Sequence, residues 1–330
     1  MRTPTVSIVL PVYNGQRYIR YAVESVLGQT YRDFELCILD NASTDATEDI
    51  CNSYVRQDSR IRYHRHPKNL GASLNHILGF KMALGKYVKL LAHDDAWDPT
   101  LLEKSVRVLD EHPEVVLVYP RTRWIDKNGD VIGDFQTNID FSSTRARDRV
   151  GAVVHGRHRA YPIFGLARRS AMAKTDNLKP YVDSDRVWLA QLALQGPFYE
   201  IKEYLFLSRE HDGGRYAGST NTPTVALAWF DPTKKQKLIL PYMRLYREYL
   251  KSVVRADLPM REKAASFYVV ATCLRNRWWR NLFKEDVVRI MKAVTPSFVK
   301  RGEVAGPKPQ PHPAAGARST ETTRKTAVGS

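Results

Sequence analysis

From Val6 onward, short apolar runs alternate with amphipathic stretches of helical length, and polar loops separate them. Val6–Leu10 predicts a first strand closed by Pro11, and residues 16 to 28 then place Tyr18, Ile19, Ala22, Val23, Val26 and Leu27 at helical spacing. Phe34–Leu39 predicts a second strand. The polar loop Asp40–Asp45 follows and feeds a helix whose start is marked by Asp45 with Glu48 three residues later. A short strand at Ile61–Tyr63, a helix over 71–84, a strand over 86–92, a helix from Pro99 to about Asp110 and a strand at Val115–Tyr119 continue the pattern. Strands and helices alternating in this way predict an α/β fold with a mostly parallel central sheet flanked by helices.

Past Tyr119 the pattern loosens. Lys127–Asp130 predicts a hairpin turn between Trp124-Ile125 and Val131-Ile132, while residues 134 to 158 are polar, Arg-rich and without an assigned element. Order returns with Pro162–Ser170, a helix over Asp185–Leu194 ending at Gly196, and a strand from Phe198 to Leu207. Residues 224 to 295 hold at least two helical segments punctuated by Pro232, Pro241 and Pro259, and apolar content falls away after Pro296. Three parts are therefore expected: a main domain over 1–230, a basic helical extension over 231–300 and a disordered tail over 301–330.

Charge sharpens that division. Residues 1–230 carry 30 Lys and Arg against 27 Asp and Glu, whereas residues 231–330 carry 21 against 8. A nearly neutral body with a strongly basic end suits an anionic membrane surface, a polyanionic acceptor or nucleic acid. Lys234–Lys237, Arg244, Arg247, Lys251, Arg255 and Arg275–Arg280 interleave cations with aromatic residues, as a helix at a lipid headgroup boundary does. A helix packed on the main domain with a basic outer face is the alternative. Cys37, Cys51 and Cys273 are odd in number, widely spaced and without metal-ligand spacing, so buried thiols in a reducing compartment are expected. Met1–Thr5 leads directly into the first strand with no apolar signal segment, and no apolar run reaches the roughly 18 to 20 residues of a membrane span. The expected location is the cytoplasm, with at most peripheral contact at the inner face of the cell membrane.

The candidate chemistry lies beyond the carboxyl ends of the strands, where open parallel sheets place their ligands. Pro11-Val-Tyr13-Asn14 follows the first strand, Asp40 the second, and Asp94-Asp95 a later one. Tyr13 can stack on a base, Asp40 can accept hydrogen bonds from a base or ribose, and two adjacent carboxylates suit a divalent metal on a diphosphate. The first strand-helix turn has only Gly15 rather than GxGxxG, which argues against a dinucleotide site.

These residues also carry a resemblance. Val6-Ser-Ile-Val-Leu-Pro-Val-Tyr-Asn-Gly15, Ser25-Val-Leu-Gly-Gln-Thr-Tyr31, Phe34-Glu-Leu-Cys-Ile-Leu-Asp-Asn-Ala-Ser-Thr-Asp45, Asn69-Leu-Gly-Ala-Ser-Leu-Asn75 and Leu91-Ala-His-Asp-Asp95 resemble, in order and spacing, the family 2 glycosyltransferases of the GT-A fold. The likeness is dense over residues 6 to 120 and looser to about 213. It implies a GT-A catalytic domain over 1–230 and an inverting, hexosyltransferase-like enzyme. The implied donor is a nucleotide-diphosphate sugar, UDP-sugars favoured, with Mg²⁺ or Mn²⁺ as cofactor.

Carried onto this chain, the resemblance gives Pro11, Tyr13, Asn14, Asp40 and Asn75 to the nucleotide sugar, Asp94 to the ribose and Asp95 to the metal. Ala92 stands where many members have a further Asp. Asp185, opening a helix that ends near Gly196, resembles the family's general base; a helix cap is the other reading of that residue, and Asp183 competes for the same role. Ser208–Gly214 resembles an Arg-x-His stretch in which Arg209 would neutralise phosphate and His211 would contact the metal or diphosphate. Arg168-Arg169 resembles a segment on the acceptor side. The acceptor implied is a saccharide or lipid-linked glycan of the cell surface. A non-catalytic nucleotide-sugar-binding protein, and a nucleic-acid-binding protein acting through the basic end, are the alternatives; nucleic acid is the less expected partner.

Overall fold

The structure, a computed structural model, describes residues 3–136, 139–156, 159–211, 240–273 and 286–294. Lys234–Lys237, Arg275–Arg280 and the expected disordered tail lie outside the described residues.

The elements run β1 Val6–Val12, α1 Ile19–Leu27, β2 Phe34–Asp40, α2 Thr47–Val55, β3 Ile61–Arg65, α3 Ala72–Met82, β4 Tyr87–Leu90, β5 Ala96–Trp97, α4 Leu101–Glu111 and β6 Leu117–Ile125. Then come β7 Val131–Phe135, α5 Ala146–His155, a 3₁₀ turn Tyr161–Phe164, β8 Leu166–Arg168, α6 Arg169–Met172, α7 Ser184–Ala193 and β9 Phe198–Arg209. Helices α8 Pro241–Arg255, α9 Met260–Cys273 and α10 Val288–Val294 follow.

One sheet is ordered β3-β2-β1-β4-β8-β6-β9-β5, with β7 on β6. β1 pairs in parallel with both β2 and β4, so the chain leaves β1 in one direction and returns on its other side. That reversal opens a crevice beyond the carboxyl ends of β1 and β4. β8 runs antiparallel between β4 and β6, and β9 lies parallel to β6. Alternation along β1 sends Val6, Ile8, Leu10 and Val12 into one layer with α1, α2 and α4, and Val9 into the other with α5 and α7. Each such buried aliphatic contributes about 1.5–3 kcal/mol. All three cysteines are buried, and none of them is joined in a disulfide.

Two segments differ from the sequence reading. β6 runs unbroken from Leu117 to Ile125, where a strand ending at Tyr119 was expected, while its hairpin to β7 falls at the expected turn, with Asp126 Oδ1 accepting the amides of Asn128, Gly129 and Asp130 at 2.8, 2.9 and 2.9 Å. Within the unassigned stretch lies α5, which buries Ala146, Val150, Val153 and Val154. Its arginines had hidden that stripe: Arg149 is buried too, and its guanidinium donates to the carbonyls of Ala193, Ser143 and Thr144. Beyond residue 231, Leu245, Tyr249 and Val253 of α8 and Val270 and Cys273 of α9 share the core with α5 and α7, so these helices pack on the main body.

Lys89 of β4 is buried. Its ammonium donates to the carbonyl of Phe164 and lies 4.7 Å from the Trp97 ring centroid. Burial pushes it down to about 7 from 10.5. The unfolded chain keeps that proton to a higher pH than the folded one. Stability therefore rises as pH climbs from about 7 to 10.5 and carries the full desolvation cost below that window. Lys89→Met is expected to raise Tm at pH 7 by at least about 2–4 °C and to flatten the rise above it, as scanning fluorimetry across pH would read.

Candidate functional site

At the crevice the loops after β1 and β2 are knitted together. Register places Val12 beside Asp40, and the next residues leave the sheet. Asn14 adopts φ 53°; its amide donates to Ser43 Oγ at 2.9 Å and its Oδ1 accepts the Thr44 amide at 2.8 Å. The Gly15 amide donates to Thr47 Oγ1 at 2.8 Å, and a Cβ on Gly15 would stand 2.5 Å from Val12 Cγ2, so only glycine fits this close approach. Tyr13 projects from the knot with 46% of its surface exposed.

Asp40 and Asn75 occupy the expected strand and helix ends but turn inward. Asp40 is wholly buried: its Oδ1 accepts the Ser43 amide at 2.8 Å, and its Oδ2 accepts the Tyr63 hydroxyl at 2.6 Å and lies 3.6 Å from Arg65 Nε. Burial, followed by the hydrogen bond and charge of Asp40, pushes the Tyr63 phenol far up. Asn75 donates to the carbonyl of Leu39 at 2.9 Å and meets His66 Nε2 at 2.9 Å. The neighbouring Asn41, which sequence reading quoted only as part of a motif, donates to Asn69 Oδ1 and accepts the Leu70 amide, both at 2.8 Å, clamping the start of α3 to the end of β2.

The acid pair divides sharply. Asp95 is buried and its Oδ1 accepts the backbone amide of Arg209 at 2.9 Å, which ties the loop after β4 to the end of β9. Burial first, and the adjacent Asp94 charge second, push its carboxyl up. Asp94 is the more open member, and its Oδ2 lies 3.0 Å from His211 Nε2. The His211 ring packs against Tyr18 with centroids 4.8 Å apart. Arg209 is an internal strut. Its Nε donates to the Asp94 carbonyl and its Nη1 to the Asp126 carbonyl, both at 2.9 Å, while its guanidinium sits between the rings of Tyr18 and Tyr21 at 4.9 and 5.1 Å. Among the described residues no group of three His, Cys, Asp or Glu gathers as a metal cage.

Asp185 opens α7 next to Asp183, which takes φ 61°. Asp185 is largely buried, and its Oδ1 accepts the Arg186 amide at 2.8 Å. The loop leading to it is held at the crevice end of α3, because Ser73 Oγ donates to the carbonyl of Leu178. Behind it stands Tyr249 of α8. Burial above all, with the charges of Asp183 and Asp185 adding and Arg186 opposing, pushes that phenol far up. Sequence reading had not linked α8 to this loop; only three-dimensional packing does. Pro11 pairs with Leu39 within the sheet, so its ring belongs to the wall of the crevice. Arg168 donates to the carbonyls of Val115, Leu109 and His112, at the opposite end of β8.

A parallel β-α half with a crevice at its reversal, an antiparallel β8 and a second half ending in the acid-loop clamp define the GT-A nucleotide-diphospho-sugar transferase fold. In Staphylococcus aureus TarS, crystallised with UDP-GlcNAc, the same fold recurs with a TM-score of 0.64 at 16% identity, covering 88% of this chain and 77% of that one. The chain belongs to glycosyl transferase family 2, whose model matches residues 7–171.

An uncharacterized glycosyltransferase of Rickettsia typhi is 28% identical over 260 residues, 78% of this chain and 75% of its own length. The putative teichuronic acid biosynthesis glycosyltransferase TuaG of Bacillus subtilis is 38% identical over 108 residues, 33% of this chain and 43% of its own. An uncharacterized glycosyltransferase of Methanocaldococcus jannaschii is 31% identical over 138 residues, where the match spans 41% of this chain and 48% of that relative.

Proposed function

We propose that this chain transfers a sugar, with inversion, from a nucleotide-diphosphate sugar to a hydroxyl of a saccharide or lipid-linked acceptor. The observation that carries the reading is the meeting of Asp94 and His211, 3.0 Å apart, beyond the carboxyl end of β4 and beside the loop that exposes Tyr13. A carboxylate and an imidazole at that separation fit two ligands of one divalent cation, Mg²⁺ or Mn²⁺, with diphosphate oxygens supplying further donors. When bound, such a cation would neutralise charge gathering on the departing diphosphate.

The cation is assigned here to Asp94 and His211. Asp95 serves better as the anchor of β9, since its carboxylate is buried on the Arg209 amide. Tyr13 offers its ring to the base, while Asp40, bound to Tyr63, shapes the base pocket from behind. Arg209 holds the Asp94 backbone in place, a different task from neutralising phosphate. Asp185 takes the acceptor proton from the face opposite the leaving group. The complexes of TarS support a UDP-sugar as the first donor to test, and the name of TuaG supports a cell-envelope glycan as acceptor.

A panel of nucleotide sugars, scanned by thermal shift with and without Mg²⁺ and Mn²⁺ and assayed for release of nucleotide diphosphate, tests the reading. Metal-dependent stabilisation by at least one UDP-sugar is expected. If no member stabilises the chain under any metal condition, the transferase reading fails.

A further inference from the structure

The outer surface of α8 and α9 carries apolar groups that nothing in the crevice explains. α8 turns Leu245, Tyr249 and Val253 inward and leaves Met243, Arg247, Lys251, Val254 and Arg255 outside. α9 buries Ser266, Val270 and Cys273. On its other side Met260, Ala264, Phe267 and Tyr268 fall at i, i+4, i+7 and i+8, a second apolar stripe on the same helix. Met260 is 76% exposed, Tyr268 66%, Val254 59% and Phe267 42%. An apolar stripe on solvent is unfavourable unless something covers it.

Charge and shape indicate what does. Arg247, Lys251, Arg255 and Arg261 are exposed around the apolar residues, against a single exposed carboxylate, Asp257, at the turn between the helices. Beside that turn a cavity of about 440 Å³ is edged by Lys174, Arg255, Asp176 and Asp257 and backed by Gln191 and Ser252, with Arg255 Nη1 3.7 Å from Asp176 Oδ2. A symmetric contact with a second copy would set these cations against one another, which disfavours that occupant. Arg247 and Lys251 share the Glu248 carboxylate and Arg255 lies 3.7 Å from Asp176, so cations outnumber carboxylates at this corner; an acidic bilayer meets that excess and gives the apolar stripe an apolar phase.

We propose that the corner where α8 meets α9 docks on an anionic lipid bilayer, with Met260, Phe267 and Tyr268 entering the interface and an acidic phosphodiester headgroup meeting Lys174 and Arg255 at the cavity. Docking there would hold the chain at the membrane surface whatever the crevice transfers, because the cavity lies at the Arg168 end of β8, away from the crevice.

Vesicle co-sedimentation of the full chain tests it, with phosphatidylcholine alone or mixed with phosphatidylglycerol. Three forms are compared: the unaltered chain, Met260→Glu/Phe267→Glu, and Lys251→Glu/Arg255→Glu. The unaltered chain should bind mixed vesicles at least about tenfold more tightly than neutral ones, and each double variant should lose at least about tenfold on mixed vesicles. UDP-dependent stabilisation, measured on the same preparations, should stay unchanged, which separates lipid docking from donor binding. Equal binding to both vesicle types, or undiminished binding by the variants, overturns the proposal; the second result would assign binding to the tail. A dimer in light scattering that Met260→Glu/Phe267→Glu converts to monomer also overturns it, because the stripe would then be a subunit interface. Soluble glycerol phosphate competing as well as vesicles would reduce the site to a free-phosphate pocket and overturn the lipid assignment.

Discussion

Asp185→Asn is expected to lower transfer by about 10²–10⁴-fold, the usual contribution of a positioned proton acceptor, while donor stabilisation persists. The exchange keeps the shape of the side chain and leaves an Oδ1 to accept the Arg186 amide, so the first turn of α7 retains its local hydrogen bond. What disappears is the charge. A carboxylate in a helix's first turn contributes only about 0.3–1 kcal/mol through the dipole, so Tm should move little. Asp183→Asn is the companion variant. Asparagine tolerates the left-handed backbone at φ 61° about as well as aspartate does, so its folding is also preserved. Rapid-quench assays of both variants decide between neighbours: normal transfer by Asp185→Asn with loss in Asp183→Asn would move the base by two residues.

Asp94→Ala is expected to weaken metal-dependent donor binding by about 10–100-fold, the range for disturbing a metal site's supporting groups. Its Oδ2 is the oxygen facing His211. His211→Ala should produce a loss in the same direction, and the double variant should lose less than the sum, because the two side chains serve one cation. Asp95→Asn should behave differently. The amide oxygen still accepts from the Arg209 backbone, so titration calorimetry with Mn²⁺ and UDP should find nearly unaltered affinity. Full loss in Asp95→Asn with none in Asp94→Ala would return the cation to Asp95.

The strand ends were legible because β1, β2 and β4 announce themselves by unbroken apolar runs that stop at polar residues, and because those residues fell in a familiar order. Side-chain direction was not. Asp40 looks like a free carboxylate until Tyr63, 23 positions later, brings a hydroxyl to it. Asn75 looks like a polar face of α3 until His66 and Leu39 close on it. Arg209 resembles a phosphate ligand in sequence, yet its fork is spent on the carbonyls of Asp94 and Asp126. In each case the deciding partner sits on another element, so local pattern could place the residue without aiming it. α5 went unassigned for a related reason: an arginine whose charge is neutralised by carbonyl dipoles can fill an apolar position, and composition alone reads it as surface.

The clamp between Asp95 and Arg209 joins positions 114 residues apart. A chain emerging from the ribosome therefore has the whole β1–β4 half, with Tyr13 and both acids, long before it has the strand that holds them. Under the proposed function, donor capture waits for β9, and the family match, which ends at residue 171, stops short of that strand. A chain cut between α7 and β9 would keep the signature motifs yet lack the partner of Asp95, so β9 is what fixes the loop that carries the acid pair.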